Sequence, residues 1–224
     1  MIENNFKIDK PKTKEQREVL NYNKRVAKLF ETGLNSEDIH GWHGTSIEAI
    51  LYLAKHGRLP VSGLYEDTLY YAPKESLSIK AQDHASMYAN DLAKEYFVLN
   101  QLPFEVKNRE LFSGIFDHEN YDDETRKLVE DDLKKFIAEE VIPNNFDENT
   151  FRNLVREANK RKGVIISLSE RITQDYEEHG GDDMDLEDMS IQTKKGLPIQ
   201  YITGIVPLGL TERKELEKIK QQTV

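Results

Sequence analysis

Apolar side chains near the N-terminus return at helical spacing. Val19, Leu20, Val26, Ala27 and Phe30 lie between Thr13 and Glu31, which predicts a helix over 13–31. Thr13 and Gln16 have the spacing of a capping box, and Gly33 ends the run. Gly41 to Thr45 then reads as a short strand. Ser46 is a natural N-cap, and Ile47, Ile50, Leu51 and Ala54 follow at i, i+3, i+4 and i+7, one buried helical face. Gly57 stands where a helix stop belongs. Thr68 to Ala72 is strand-like and halted by Pro73. Ser76 to Ala93 reads as a helix with Leu77, Ala81, Ala85, Tyr88, Ala89 and Leu92 on its apolar positions. Tyr96 to Leu102, rich in Tyr, Phe, Val and Leu, predicts a further strand.

The pattern then changes. From Glu110 to Lys162, apolar residues such as Leu128, Leu133, Phe136, Ile137, Phe151 and Leu154 are set among many charges. Two helices divided near Pro143-Asn144-Asn145 account for this, as an insertion of about 50 residues that is too small for a core of its own. Gly163 to Leu168 is an apolar run that predicts a buried strand. Glu177 to Glu187 is acidic, contains Gly180-Gly181 and reads as a loop. Met189 to Thr193 and Pro198 to Leu208 read as strands, and a charged helix begins at Thr211. Strands cluster late without regular βα alternation, which indicates an α+β class rather than a doubly wound parallel sheet. The expected organisation is a single domain over 1–224, with an N-terminal helix at 13–31 and a helical insert at about 110–162.

Composition narrows the chemistry. The 224 residues carry a net charge of −10, which opposes general attraction to nucleic acid or an anionic membrane. The basic runs Lys160-Arg161-Lys162 and Lys194-Lys195 are short. Cysteine is absent, which removes disulfides, thiolate zinc sites and a Cys nucleophile. No stretch reaches the ~18 apolar residues of a membrane span, and residues 1–12 lack the apolar core of a signal peptide. A cytoplasmic protein is expected, although a secreted effector with an unfamiliar export signal would read the same way. His40, His43, His56, His84, His118 and His179 show no His-Glu-x-x-His spacing, and Asp182 to Asp188 lacks the order of an EF-hand, so no metal is expected.

The candidate chemistry lies in the first half. Gly44 lets a ligand approach the backbone, whose amide groups pair with a planar amide, and the His43 imidazole beside it can bond a ribose hydroxyl. Tyr70 and Tyr88 can stack on a planar heterocycle. Singly, His43 also fits a tight turn, and each tyrosine also fits a core or rim position. In combination they form an ordered set. A strand ends in His43-Gly44-Thr45, and an amphipathic helix closes at Gly57. Leu69-Tyr70-Tyr71-Ala72 follows, then Ala85-Ser86-Met87-Tyr88-Ala89 on a helix. This set resembles the ADP-ribosyltransferase superfamily, in the His-Tyr-Glu branch that includes the poly(ADP-ribose) polymerases. The resemblance spans residues 41–93 and 163–208.

The resemblance implies an ADP-ribosyltransferase-like split β-sheet core and NAD as substrate. It implies that His43 bonds the adenosine ribose, that Gly44, with Thr45 beside it, pairs with the nicotinamide amide, that Tyr70 is the triad tyrosine and that Tyr88 stacks on nicotinamide. Gln200 falls where the family's catalytic glutamate is expected. A neutral amide there keeps a hydrogen bond and loses the charge that stabilises an oxocarbenium-like transition state. Three readings follow: another strand register, a carboxylate from Glu187 or Asp188, or binding without efficient turnover. The implied activity is NAD-dependent mono-ADP-ribosyl transfer to a macromolecular acceptor, protein rather than nucleic acid, with release of nicotinamide. The alternatives are an inactive NAD or ADP-ribose-binding interaction module and an RNA 2′-phosphotransferase-like enzyme, the latter disfavoured by the negative charge.

Overall fold

A computed structural model describes residues 13–60, 68–74, 81–101, 153, 156–180, 189–193 and 195–223. The helices are α1 (Lys14–Thr32), α2 (Ile47–His56), α3 (Ala81–Gln101), α4 (Ile172–Asp175) and α5 (Leu210–Gln221). The strands are β1 (Gly41–Thr45), β2 (Arg58–Leu59), β3 (Thr68–Pro73), β4 (Val164–Leu168), β5 (Glu178–Gly180), β6 (Met189–Gln192), β7 (Leu197–Pro198) and β8 (Ile202–Pro207).

Local chemistry sets the first elements as expected. Thr13 and Gln16 make a complete capping box on α1. Ser46 caps α2 by accepting from Ala49 N, and Gly57 ends it in the left-handed conformation at φ 69°. β1 and α2 are therefore joined by one residue, so the end of β1 and the start of α2 form a single rigid corner.

Six strands form one antiparallel sheet in the order β5-β6-β3-β1-β4-β8, and β2 pairs with β7 in a separate ribbon. This is an α+β architecture. One face of the sheet carries the main core. Leu69 and Tyr71 of β3, Ile166 and Leu168 of β4, Ile191 of β6 and Ile205 of β8 pack there with apolar residues of α1, α2 and α5. The other face is covered by α3, which packs over β1, β4 and β3.

Several sequence expectations are revised. The strand expected over Tyr96–Leu102 is, up to Gln101, the last turn and a half of α3. Ala93-Lys94-Glu95 are good helix formers and contain no breaker, so the helix propagates into the β-prone residues at little cost. The loop expected from Glu177 contains β5. The single strand expected over Pro198–Leu208 is interrupted, because Ile199–Tyr201 form a 3-10 turn between β7 and β8. The proposed insert is described only at 153 and from 156 onward, and residues 153 and 156–158 are helical. Residues 110–152, 154 and 155 of the insert, the start of the helix expected at Ser76 and the acidic residues 181–188 lie outside the described residues.

Candidate functional site

The central strand is paired unequally on its two sides. The β1–β4 ladder runs the full strand, from Gly41↔Leu168 to Thr45↔Val164. The β1–β3 ladder contains Gly41↔Pro73 and Trp42↔Ala72 and goes no further. One more backbone bond, Lys74 N to His40 O, ties its base. From His43 to Thr45 the edge of β1 that faces β3 is thus outside the ladder, and this gap in the pairing is the candidate cleft.

His43 sits in that opening. Its Nδ1–H donates to the Tyr70 carbonyl oxygen at 2.6 Å, in place of a strand-to-strand bond. A carbonyl can only accept, so this contact assigns the proton to Nδ1 and leaves Nε2 with the ring's free lone pair. Burial pushes the His43 pKa below its ordinary value, and the Tyr70 carbonyl only partly offsets this. The ring is therefore neutral at pH 7, and Nε2 can accept from a hydroxyl.

Gly44 is needed for a reason the sequence did not reveal. A Cβ at this position would collide with the Ala85 carbonyl oxygen and the Ala89 backbone. The missing side chain thus admits α3, and a ligand would meet Gly44 along its strand edge and not over its face. Ala85 and Ala89 are buried against β1. Asn90, on one flank of this contact line, accepts from Gly163 N at the head of β4, at 3.0 Å. At ~100° per helical residue, Tyr88 falls on the opposite flank, toward β3 and Tyr70. Tyr70 and Tyr88 are 41% and 45% exposed, unusually open for large aromatic rings and suited to a planar ligand. Trp42, on the same face as Gly44, keeps its indole Nε1 buried with no hydrogen-bond partner among the described residues, a donor left over inside the cleft wall.

The late strand that flanks the cleft is β6. Tyr70 pairs with Ser190, which places both side chains on the α3 face. The Ser190 hydroxyl donates to His179 O of β5 at 3.3 Å. Gln200 is elsewhere. It is exposed on the 3-10 turn before β8, beyond β4 from β1, and the start of β8 is level with Leu168 and Gly41, at the laddered base of β1 and not at its open stretch. The structure thus sets His43, Gly44 and Tyr70 along the unladdered stretch of β1 and β3, with the His43 side chain on the core face beside Ile166 and the Tyr70 side chain on the α3 face; Tyr88 is exposed on α3, Thr45 is buried at the adjoining corner and Gln200 lies elsewhere. Glu187 and Asp188, which immediately precede β6 in the chain, lie outside the described residues.

A second group of polar side chains escaped the sequence reading. His40 Nε2 lies 2.6 Å from Glu178 Oε1 and 3.1 Å from the Tyr71 hydroxyl, and that hydroxyl donates to the same carboxylate oxygen. The cluster ties the edge strand β5 to β3 and to the entry of β1. Its members are 107 and 138 residues apart in the chain, so no local motif marks it. No group of His, Asp and Glu fit to hold a metal occurs among the described residues. No family model, curated protein or solved structure matches this chain.

Proposed function

We propose that the chain is an NAD-dependent mono-ADP-ribosyltransferase whose dinucleotide lies in the cleft between β1 and β3. The observation that carries this reading is the parting of the β1–β3 ladder at His43, beside Gly44 and against the backbone of the exposed Tyr70. The donor set suits NAD. The unladdered edge of β1 offers backbone groups to the nicotinamide amide. Tyr70 and Tyr88 offer ring faces to the nicotinamide. The neutral His43 offers Nε2 to a hydroxyl of the adenosine ribose. When bound, NAD supplies a ribose C1′ that becomes electrophilic as nicotinamide departs, and an acceptor nucleophile takes its place. The acceptor is a macromolecule, and the net charge of −10 favours protein over nucleic acid.

One observation favours a second reading, in which the cleft holds NAD or ADP-ribose and turns it over slowly. One β6 position bears on this: the residue opposite Tyr70 is Ser190, which brings no carboxylate there against the developing positive charge. Lacking one such electrostatic contact costs ~10²–10³ in rate. Incubating the full chain with NAD and measuring both binding and nicotinamide release separates the two. Binding with release supports the transferase, and binding without release leaves the interaction module. An absence of binding removes both.

A further inference from the structure

We propose that His179 takes the proton of the attacking nucleophile in this cleft, and that attachment of its neighbour Glu178 to Tyr71 and His40 holds it in place. The inference rests on the reading of the cleft as an NAD site. β5 is a three-residue edge strand whose side chains alternate between the two sheet faces. Glu178 pairs with Ile191, itself opposite Leu69, and so projects to the core face, where its carboxylate meets the Tyr71 hydroxyl and His40 Nε2. His179 must then project to the opposite face. It pairs with Ser190, and Ser190 pairs with Tyr70, so these three side chains form one row across the α3 face, directed at Gly44. At ~4.8 Å per strand, the row places the His179 backbone about 10 Å from Tyr70, on the β6 side of the cleft, where an acceptor would approach.

Across this row His179 alone carries an imidazole, whose unprotonated ring nitrogen can accept a proton from a nucleophile. His179 is exposed, so its ring is open to an acceptor. In the step proposed, a nucleophile X–H attacks C1′ of the nicotinamide ribose. The X–C1′ bond forms while the C1′–N bond breaks, and nicotinamide leaves as a neutral molecule with the bonding pair. The proton of X–H passes to an imidazole nitrogen of His179 and then to solvent. His179 is the catalytic group, and Glu178, Tyr71 and His40 are positioning residues.

The test uses the full chain with NAD as probe and water as acceptor, following nicotinamide release. His179→Ala is expected to lower kcat by roughly 10²-fold with KM and NAD binding unchanged. It should also regain part of its rate when free imidazole is added. Glu178→Gln should lower kcat less and gain little from added imidazole, since the base is displaced but present. A His179→Ala variant with the kcat of the parent overturns the proposal and leaves the NAD reading intact, as does a slowed variant that imidazole fails to restore. A parent chain that neither binds NAD nor releases nicotinamide overturns both.

Discussion

His43 and Tyr70 are joined by a side chain where their strands would otherwise be joined by backbone: the imidazole Nδ1–H reaches the Tyr70 carbonyl at 2.6 Å, one residue past the last β1–β3 pair. The contact fixes the tautomer and holds the cleft open. Replacing His43 with Ala removes both the wedge and the Nε2 acceptor. NAD affinity should fall about tenfold or more, the equivalent of one or two hydrogen bonds. Calorimetry with NAD checks this, and unchanged affinity would show that the cleft is not the nucleotide site.

The lowered pKa of His43 has a sign that can be followed. The unfolded chain takes up the proton at the ordinary value of 6.5, whereas the folded chain resists it because the ring is buried. Unfolding therefore binds the proton first as pH falls. This contribution to stability is complete above 6.5 and declines below it, until the depressed folded value is passed. Urea titrations at a series of pH values should show the decline in the parent and a shallower one in His43→Gln. NAD binding should follow the same direction, level at neutral pH and weaker in acid, because a protonated Nε2 no longer accepts.

Gly44→Ala tests how α3 is seated. The added methyl meets backbone atoms of Ala85 and Ala89, which cannot swing aside as a side-chain end would. Overpacking of this kind costs about 3 kcal/mol, or roughly 6–12 °C in Tm for a chain of this size. Thermal unfolding measures it, and a shift within a degree of the parent would contradict the close approach.

Gln200 and Ser190 should behave oppositely. Gln200→Ala should leave nicotinamide release unchanged within about twofold, since the residue lies on the far side of β4 from the cleft. Ser190→Glu puts a carboxylate opposite Tyr70, and should raise the rate of release by up to ~10²-fold if charge is what the cleft lacks. Side-by-side progress curves for the two variants and the parent decide the point.

The sequence announced elements whose causes are local. The Ser46 and Gly57 bracket around α2 and the Thr13–Gln16 capping box are each set within a few residues, and they appear as expected. Elements decided by distant partners were not legible. β5 reads as acidic loop because Glu178-His179-Gly180 has no apolar alternation. It becomes a strand by pairing with β6, while Glu178 is satisfied by His40 from the other end of the chain. Gln200 sits between β-forming neighbours, so its residue types resemble strand, yet Ile199 N is drawn to Gly57 O and the backbone turns before β8 begins. For the candidate site, residue types marked His43, Gly44, Tyr70 and Tyr88. Only the sheet order could show that β6, not β8, borders them.

Two ladder pairs and one basal bond are all the backbone that couples β1 to β3. The sheet is therefore two plates on a narrow seam, β5-β6-β3 on one side and β1-β4-β8 on the other. Plates so joined should open as separate cooperative units. The amides of β3 and β6 should exchange with solvent ahead of those in β1 and β4, and a dinucleotide bridging the seam would make the two exchange as one.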